Sequence, residues 1–214
     1  MHRIIVFLGP SLDRDAAEVI LQADYRPPAK RGDLLRAAED GAAVIGLIDG
    51  VFHQESAVAH REILAALRKG VRVIGASSMG ALRAAEMDTL GMVGIGKVYR
   101  MYKTGELNSD DEVALVFDPV SGYSLSEPLV NIRFTLRKAR ECGVISGKEH
   151  DALLTAARSV FYPQRTYARI AAAAGTAGAG TQERFLAWVG ENACDRKRLD
   201  AIEALEYIAG LDIG

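Results

Sequence analysis

Cysteine is scarce in this chain. Its two cysteines, Cys142 and Cys194, lie far apart and match no zinc or redox spacing, which argues for reduced thiols and against a disulfide framework. An excess of positive charge is missing too. The formal net charge is −2 and the pI is near 6.1, so no basic field exists to hold nucleic acid or an anionic membrane. No apolar run approaches the roughly 20 residues of a membrane span, and Met1-His2-Arg3 leads straight into a short apolar stretch without a signal pattern. These absences predict a cytoplasmic protein with no membrane contact. Internal repeats are absent as well. What remains is an ordinary globular composition, and 214 residues suffice for one large domain or two small ones.

The first half alternates between buried strands and helices. Ile4 to Leu8 is a continuous apolar run ended by Gly9-Pro10-Ser11, and Asp13 to Gln22 follows as a helix. Tyr25 to Ala29 is held extended by Pro27 and Pro28, and Asp33 to Asp40 is a short helix closed by Gly41. Val44 to Ile48 is the next buried strand, with Asp49 to Gln54 at its carboxyl end; Ser56 to Lys69 reads as a helix stopped by Gly70. Thr89 to Gly96 reads as glycine-rich punctuation. Gly94-x-Gly96 is no dinucleotide fingerprint, because the third glycine is missing. Asp110-Asp111-Glu112 precedes an apolar strand, Val113 to Phe117, and reads as a solvated loop or, less simply, as a site for a metal or a basic partner. From Glu127 on only helices follow: Pro128–Cys142, a capping box at Ser146 and Glu149 opening Lys148–Phe161, then a small-residue linker at Gly175–Gly180 and amphipathic helices to Leu211. The expected fold is therefore α/β, a parallel-type sheet of about four to five strands with flanking helices, followed by an all-helical C-terminal portion. The expected division is a core over 1–120 and a helical region over 121–214, packed on the core or extending it.

One stretch organises the reading: Val71-Arg72-Val73-Ile74-Gly75-Ala76-Ser77-Ser78-Met79-Gly80-Ala81-Leu82-Arg83-Ala84-Ala85-Glu86. A β-branched run stops at small residues, and good helix formers take over. A serine at such a junction can present its hydroxyl to a ligand while the next N–H groups face negative charge, or it can simply cap the helix. Ala76-x-Ser78-x-Gly80 departs by one residue from the Gly-x-Ser-x-Gly elbow. If the strands are parallel, the junctions Gly9–Ser11, Asp49–His53 and Ser77–Gly80 meet at one sheet edge, where α/β sheets bind ligands.

Val6-Phe7-Leu8-Gly9-Pro10-Ser11-Leu12, Ile48-Asp49-Gly50-Val51-Phe52, Ala57 to Leu64, Gly75 to Met87, Gly91 to Gly96 and Asp110 to Ala114 resemble, in order, the TfuA family; Glu127 to Arg133 and Phe161-Tyr162-Pro163 resemble its C-terminal half. The resemblance covers roughly residues 4–165. It implies a partner of YcaO enzymes, which use ATP to activate a backbone amide for exchange of oxygen for sulfur. The TfuA protein would release that sulfur by hydrolysing the C-terminal thiocarboxylate of a ThiS-like carrier and would help YcaO hold its peptide. It would use a serine–lysine pair, with Ser78 matching the family's serine and no cofactor or metal. Met79 and Gly80 would then supply oxyanion N–H groups, Gly9, Ser11 and Arg83 would bind substrate, and Asp49 would orient a base or cap a helix.

The lysine is where this chain departs. Many relatives carry His-Lys-Glu where His60-Arg61-Glu62 stands here. A guanidinium cannot act as a base, although Arg61 could bind the thiocarboxylate. His60 is the nearest side chain suited to proton transfer, with His53 more remote; Lys97 and Lys103 are further candidates and would need burial. Two other functions fit the residues, a non-catalytic YcaO adaptor in which the helical half docks YcaO and peptide, and a general serine esterase.

Overall fold

The computed structural model describes residues 3–52, 56–118, 122–175 and 179–212. Five strands, β1 (Arg3–Phe7), β2 (Asp24–Arg26), β3 (Ala42–Leu47), β4 (Arg72–Ala76) and β5 (Val93–Ile95), form one parallel sheet in the order β2-β1-β3-β4-β5. The protein is thus of the α/β class, with a helical region following. The chain winds one way from β1 to β2 and the other way from β3 onward. The direction reverses between β1 and β3, and it is at the carboxyl ends of strands at such a point that α/β sheets bind ligands.

The inner strands β1, β3 and β4 are largely buried on both faces, which explains their nearly continuous apolar sequence. Ile5, Phe7, Ile45, Leu47 and Val73 face α2 (Asp33–Glu39), α3 (His60–Arg68) and α4 (Met79–Met87) through Leu34, Ala37, Ile63, Ala66, Ala84 and Met87. Val6, Leu8, Val44, Ile48 and Ile74 face α1 (Arg14–Ile20) and a helix from the far end of the chain. That helix, Arg196–Ala209, carries Ala201, Leu205 and Ile208 onto the sheet. It belongs to the same compact unit, residues 1–110 with 197–214, although the sequence places it in the helical tail.

Residues 111–196 form a second compact unit. Its helices α6 (Leu129–Glu141), α7 (Gly147–Ser159), α8 (Tyr167–Ala174) and α9 (Ala179–Asn192) enclose Ile132, Leu136, Leu153, Ala157, Ile170 and Phe185. The C-terminal helix is α10. At α7 the expected capping box forms: the Ser146 N–H donates to Glu149 Oε2 at 2.6 Å and the Glu149 N–H to Ser146 Oγ at 3.3 Å.

Two expectations fail. Val113 to Phe117 is apolar but joins no sheet: Val113 and Ala114 are buried in irregular backbone, and Phe117 makes only an isolated antiparallel bridge to Ser124. Apolar sequence demands burial, and here burial comes without a neighbouring strand edge. Conversely, the glycine-rich Val93-Gly94-Ile95 is a strand beside β4. Gly94 is needed there because a Cβ would lie 2.2 Å from the ring of Tyr99, on α5 (Gly96–Lys103). The acidic cluster is structural in its last two members: Arg165 Nη2 meets Asp111 at 2.6 Å, and Arg133 grips Glu112 through two bonds at 2.8 and 2.6 Å.

Candidate functional site

The site lies at the carboxyl edge of the sheet, where β4 passes into α4. Ser77 is the only described non-glycine residue with positive φ, at 64°. The N–H of Ser78 closes a three-residue turn on the carbonyl of Ala76 at 2.7 Å, with Ser77 at its centre. Such a turn is strained for a side-chain-bearing residue. It reverses the chain tightly enough for α4 to lie against the sheet. Gly75 and Gly80 permit that approach, since a Cβ on Gly75 would sit 2.2 Å from the Gly80 carbonyl oxygen and one on Gly80 would sit 1.7 Å from the Leu47 carbonyl oxygen.

The two adjacent serines differ in role. Ser77 is fully buried and donates to Ser11 Oγ at 2.9 Å; Ser11 in turn donates to Asp49 Oδ1 at 2.7 Å. Ser78 stands at the N-cap of α4 but makes no capping bond with its side chain. No fully buried side-chain oxygen of the described residues lacks a partner, so the unpaired Ser78 hydroxyl keeps some contact with solvent although the residue is only 5 % exposed. Next to it, the Met79 N–H has no acceptor among the described residues, whereas the Gly80 N–H is spent on the Ile48 carbonyl at 3.3 Å. One backbone donor at the helix start is therefore left without an acceptor among the described residues, rather than the expected two.

Gly9, Ser11 and Asp49 do come together at the carboxyl ends of β1 and β3, bound to one another. Asp49 is 2 % exposed and its Oδ2 accepts the Gly9 N–H at 2.9 Å and the Ser11 N–H at 3.1 Å. Those donors, expected to bind substrate, shape the turn after β1 instead. Lys197, on α10 and equally buried, places Nζ 3.9 Å from Asp49 Oδ1. Nothing near residue 49 in sequence announces this lysine. Ser77 was visible as part of the Ser77-Ser78 pair, but its backbone conformation was not.

His60 and Arg61 are exposed at the start of α3. His60 Nε2 pairs with Glu86 at 2.8 Å, and the same carboxylate takes Arg83 Nη1 at 2.6 Å. Arg83 also donates from Nε to the Val58 carbonyl at 3.0 Å, and only 14 % of its side chain is exposed. His53 lies outside the described residues. Arg83 and Glu86 line a cavity of about 380 Å³ together with Arg31, Phe52, Met79 and Leu82. The cavity begins at Met79, one residue beyond Ser78, and neither serine lines it.

Lys103 is exposed and held by Asp88 at 2.6 Å. That bond, followed by one from Tyr99, draws the Asp88 carboxyl below the usual carboxylate range. Lys97 is half-buried and has no carboxylate partner among the described residues. Ser78 follows β4 at the start of α4 and Lys97 follows β5 at the start of α5, and β4 and β5 are neighbours whose last pair is Ala76 with Ile95. Neighbouring strands run about 5 Å apart, so the loops that follow them share one edge.

An unpaired hydroxyl beside a free N–H at a helix start, with a lysine after the neighbouring strand that has no carboxylate partner among the described residues, suits attack on an electron-poor carbon that gains negative charge. No curated protein matches the chain. The family model described as TfuA-like protein matches residues 49–166, more than half of the chain and the whole segment from Asp49 through Ser78 to Lys97, so this chain belongs to the TfuA-like family.

Proposed function

We propose that this protein is an accessory hydrolase for YcaO-dependent thioamidation of peptide backbones, releasing sulfide from the C-terminal thiocarboxylate of a ThiS-like carrier and aiding YcaO in holding its peptide. The observation that carries the reading is the Ser78 hydroxyl, unpaired and not fully buried, beside a Met79 N–H without an acceptor among the described residues. Ser78 Oγ attacks the thiocarboxylate carbon and passes its proton to the Lys97 amine. The Met79 N–H and the positive end of α4 stabilise the charge that develops on oxygen. Collapse breaks the carbon–sulfur bond, and sulfur leaves as hydrosulfide with the proton returned from Lys97. Water then hydrolyses the Ser78 ester, leaving a carboxylate on the carrier. Over the cycle one water and one thiocarboxylate give one carboxylate and one hydrogen sulfide. Arg83, one turn along α4 in the cavity wall, supplies positive charge for the anionic tail.

Sulfide release from a synthetic peptide thiocarboxylate tests this directly. Ser78→Ala and Lys97→Ala are each expected to slow release by about a hundredfold or more, while Lys103→Ala and His60→Ala keep wild-type rates. If the wild-type protein releases no sulfide and yet enhances YcaO turnover, the chain is an adaptor. Rapid turnover of simple esters without preference for thiocarboxylates would make it a general esterase.

A further inference from the structure

The hydrolase reading uses Ser78, Met79 and Lys97 and leaves unexplained a buried polar chain behind them. Ser77, Ser11, Asp49 and Lys197 come from four different segments, and each is 2 % exposed or less. Hydrogen bonds of 2.9 and 2.7 Å join Ser77 to Ser11 and Ser11 to Asp49, and Lys197 Nζ stands 3.9 Å from the same Asp49 oxygen. The chain ends on the one described non-glycine residue whose backbone is left-handed. Such a conformation disfavours any residue with a Cβ and persists where the surroundings over-determine it.

We infer that Lys197, Asp49 and Ser11 form a brace that holds Ser77 in its left-handed turn and so fixes the direction of the Ser78 hydroxyl and the Met79 N–H. Ser77 and Ser11 are positioning residues on this account; neither touches substrate. The brace fastens Ser77 by its hydroxyl and fastens Asp49 by three donors from the turn after β1, so the turn after β4 cannot relax without breaking a buried hydrogen bond. Through Lys197, helix α10 becomes part of the apparatus that aims a nucleophile more than a hundred residues earlier in the chain.

The inference rests on the hydrolase reading for its kinetic readout but carries a second readout that does not. Glycine adopts a φ near 64° without strain, so Ser77→Gly needs no brace. Ser11→Ala alone is expected to lower kcat for sulfide release about tenfold with KM little changed, and Ser11→Ala with Ser77→Gly to recover most of that loss. Ser77→Gly alone stays active. In thermal unfolding the two substitutions are non-additive, Ser11→Ala costing much less in the Ser77→Gly background. Full activity in Ser11→Ala, or strict additivity in unfolding, overturns the brace. A Ser77→Gly protein as inactive as Ser78→Ala overturns it as well, because the Ser77 hydroxyl would then act in the chemistry. If the wild-type protein releases no sulfide, the hydrolase reading fails and the unfolding cycle alone decides the brace.

Discussion

Single residues decide whether this sheet edge can exist. Gly80 sits where β3 and α4 nearly touch, and an added methyl group would overlap the Leu47 carbonyl oxygen at 1.7 Å. Gly80→Ala is therefore expected to cost about 3 kcal/mol or more, read as a lower urea midpoint. Lys197 and Asp49 make a second such point. Lys197→Met leaves a buried carboxylate without its cation, which costs about 3–5 kcal/mol, and adding Asp49→Asn is expected to recover part of the loss. Glu127, half-buried in the helical unit, offers a test with a sign. Burial first, then the charge of Asp195, raises its carboxyl above the ordinary value of 4.5, so the ionised form is disfavoured in the folded state. That contribution to stability is fully present below pH 4.5 and is lost as pH rises through the folded value. Glu127→Gln should thus unfold at a higher temperature than wild type at pH 7, and the gain should vanish below about pH 4.5. Trp188, the single tryptophan, lies in the same unit and reports the transition by fluorescence.

Elements form where local chemistry and burial agree. Helix α7 begins at Ser146 because a hydroxyl and a carboxylate three residues apart satisfy two N–H groups that would otherwise lack partners. Ser146→Ala is expected to cost about 1 kcal/mol, read from Trp188 emission in urea. That cap was legible in the sequence, as were β1, β3, β4 and α4, since continuous apolar runs and turn residues are local signals. The misjudged elements share a cause. Val113 to Phe117 has strand composition but no strand beside it, and Val93-Gly94-Ile95 has poor strand composition but the free edge of β4. Strand propensity describes a residue's fit to a pleated surface, and that surface must be supplied by another segment.

For the molecule as a whole, the chain leaves the sheet unit after Asp110 and returns at Lys197. The return supplies Ala201, Leu205 and Ile208, which cover Val6, Val44 and Ile74. Leu205→Ala should destabilise the sheet unit by about 2–5 kcal/mol, read by hydrogen exchange of the β1 and β3 amides, and should leave Trp188 emission at its wild-type wavelength. Each unit has its own apolar core, so a lesion in one core is expected to register there first.

By itself the sequence determined the α/β class, the junctions that carry Ser11, Asp49 and Ser78, and the family. Periodicity, turn chemistry and ordered motifs are properties of neighbouring residues and can be read along a line. Only the tertiary structure decided the strand order, the loss of Gly9, Ser11 and Gly80 as free donors, the adjacency of the strands that lead into Ser78 and Lys97, and the arrival of Lys197 beside Asp49. Each of these depends on which distant segments share a buried contact, and that is settled by closing the whole core at once.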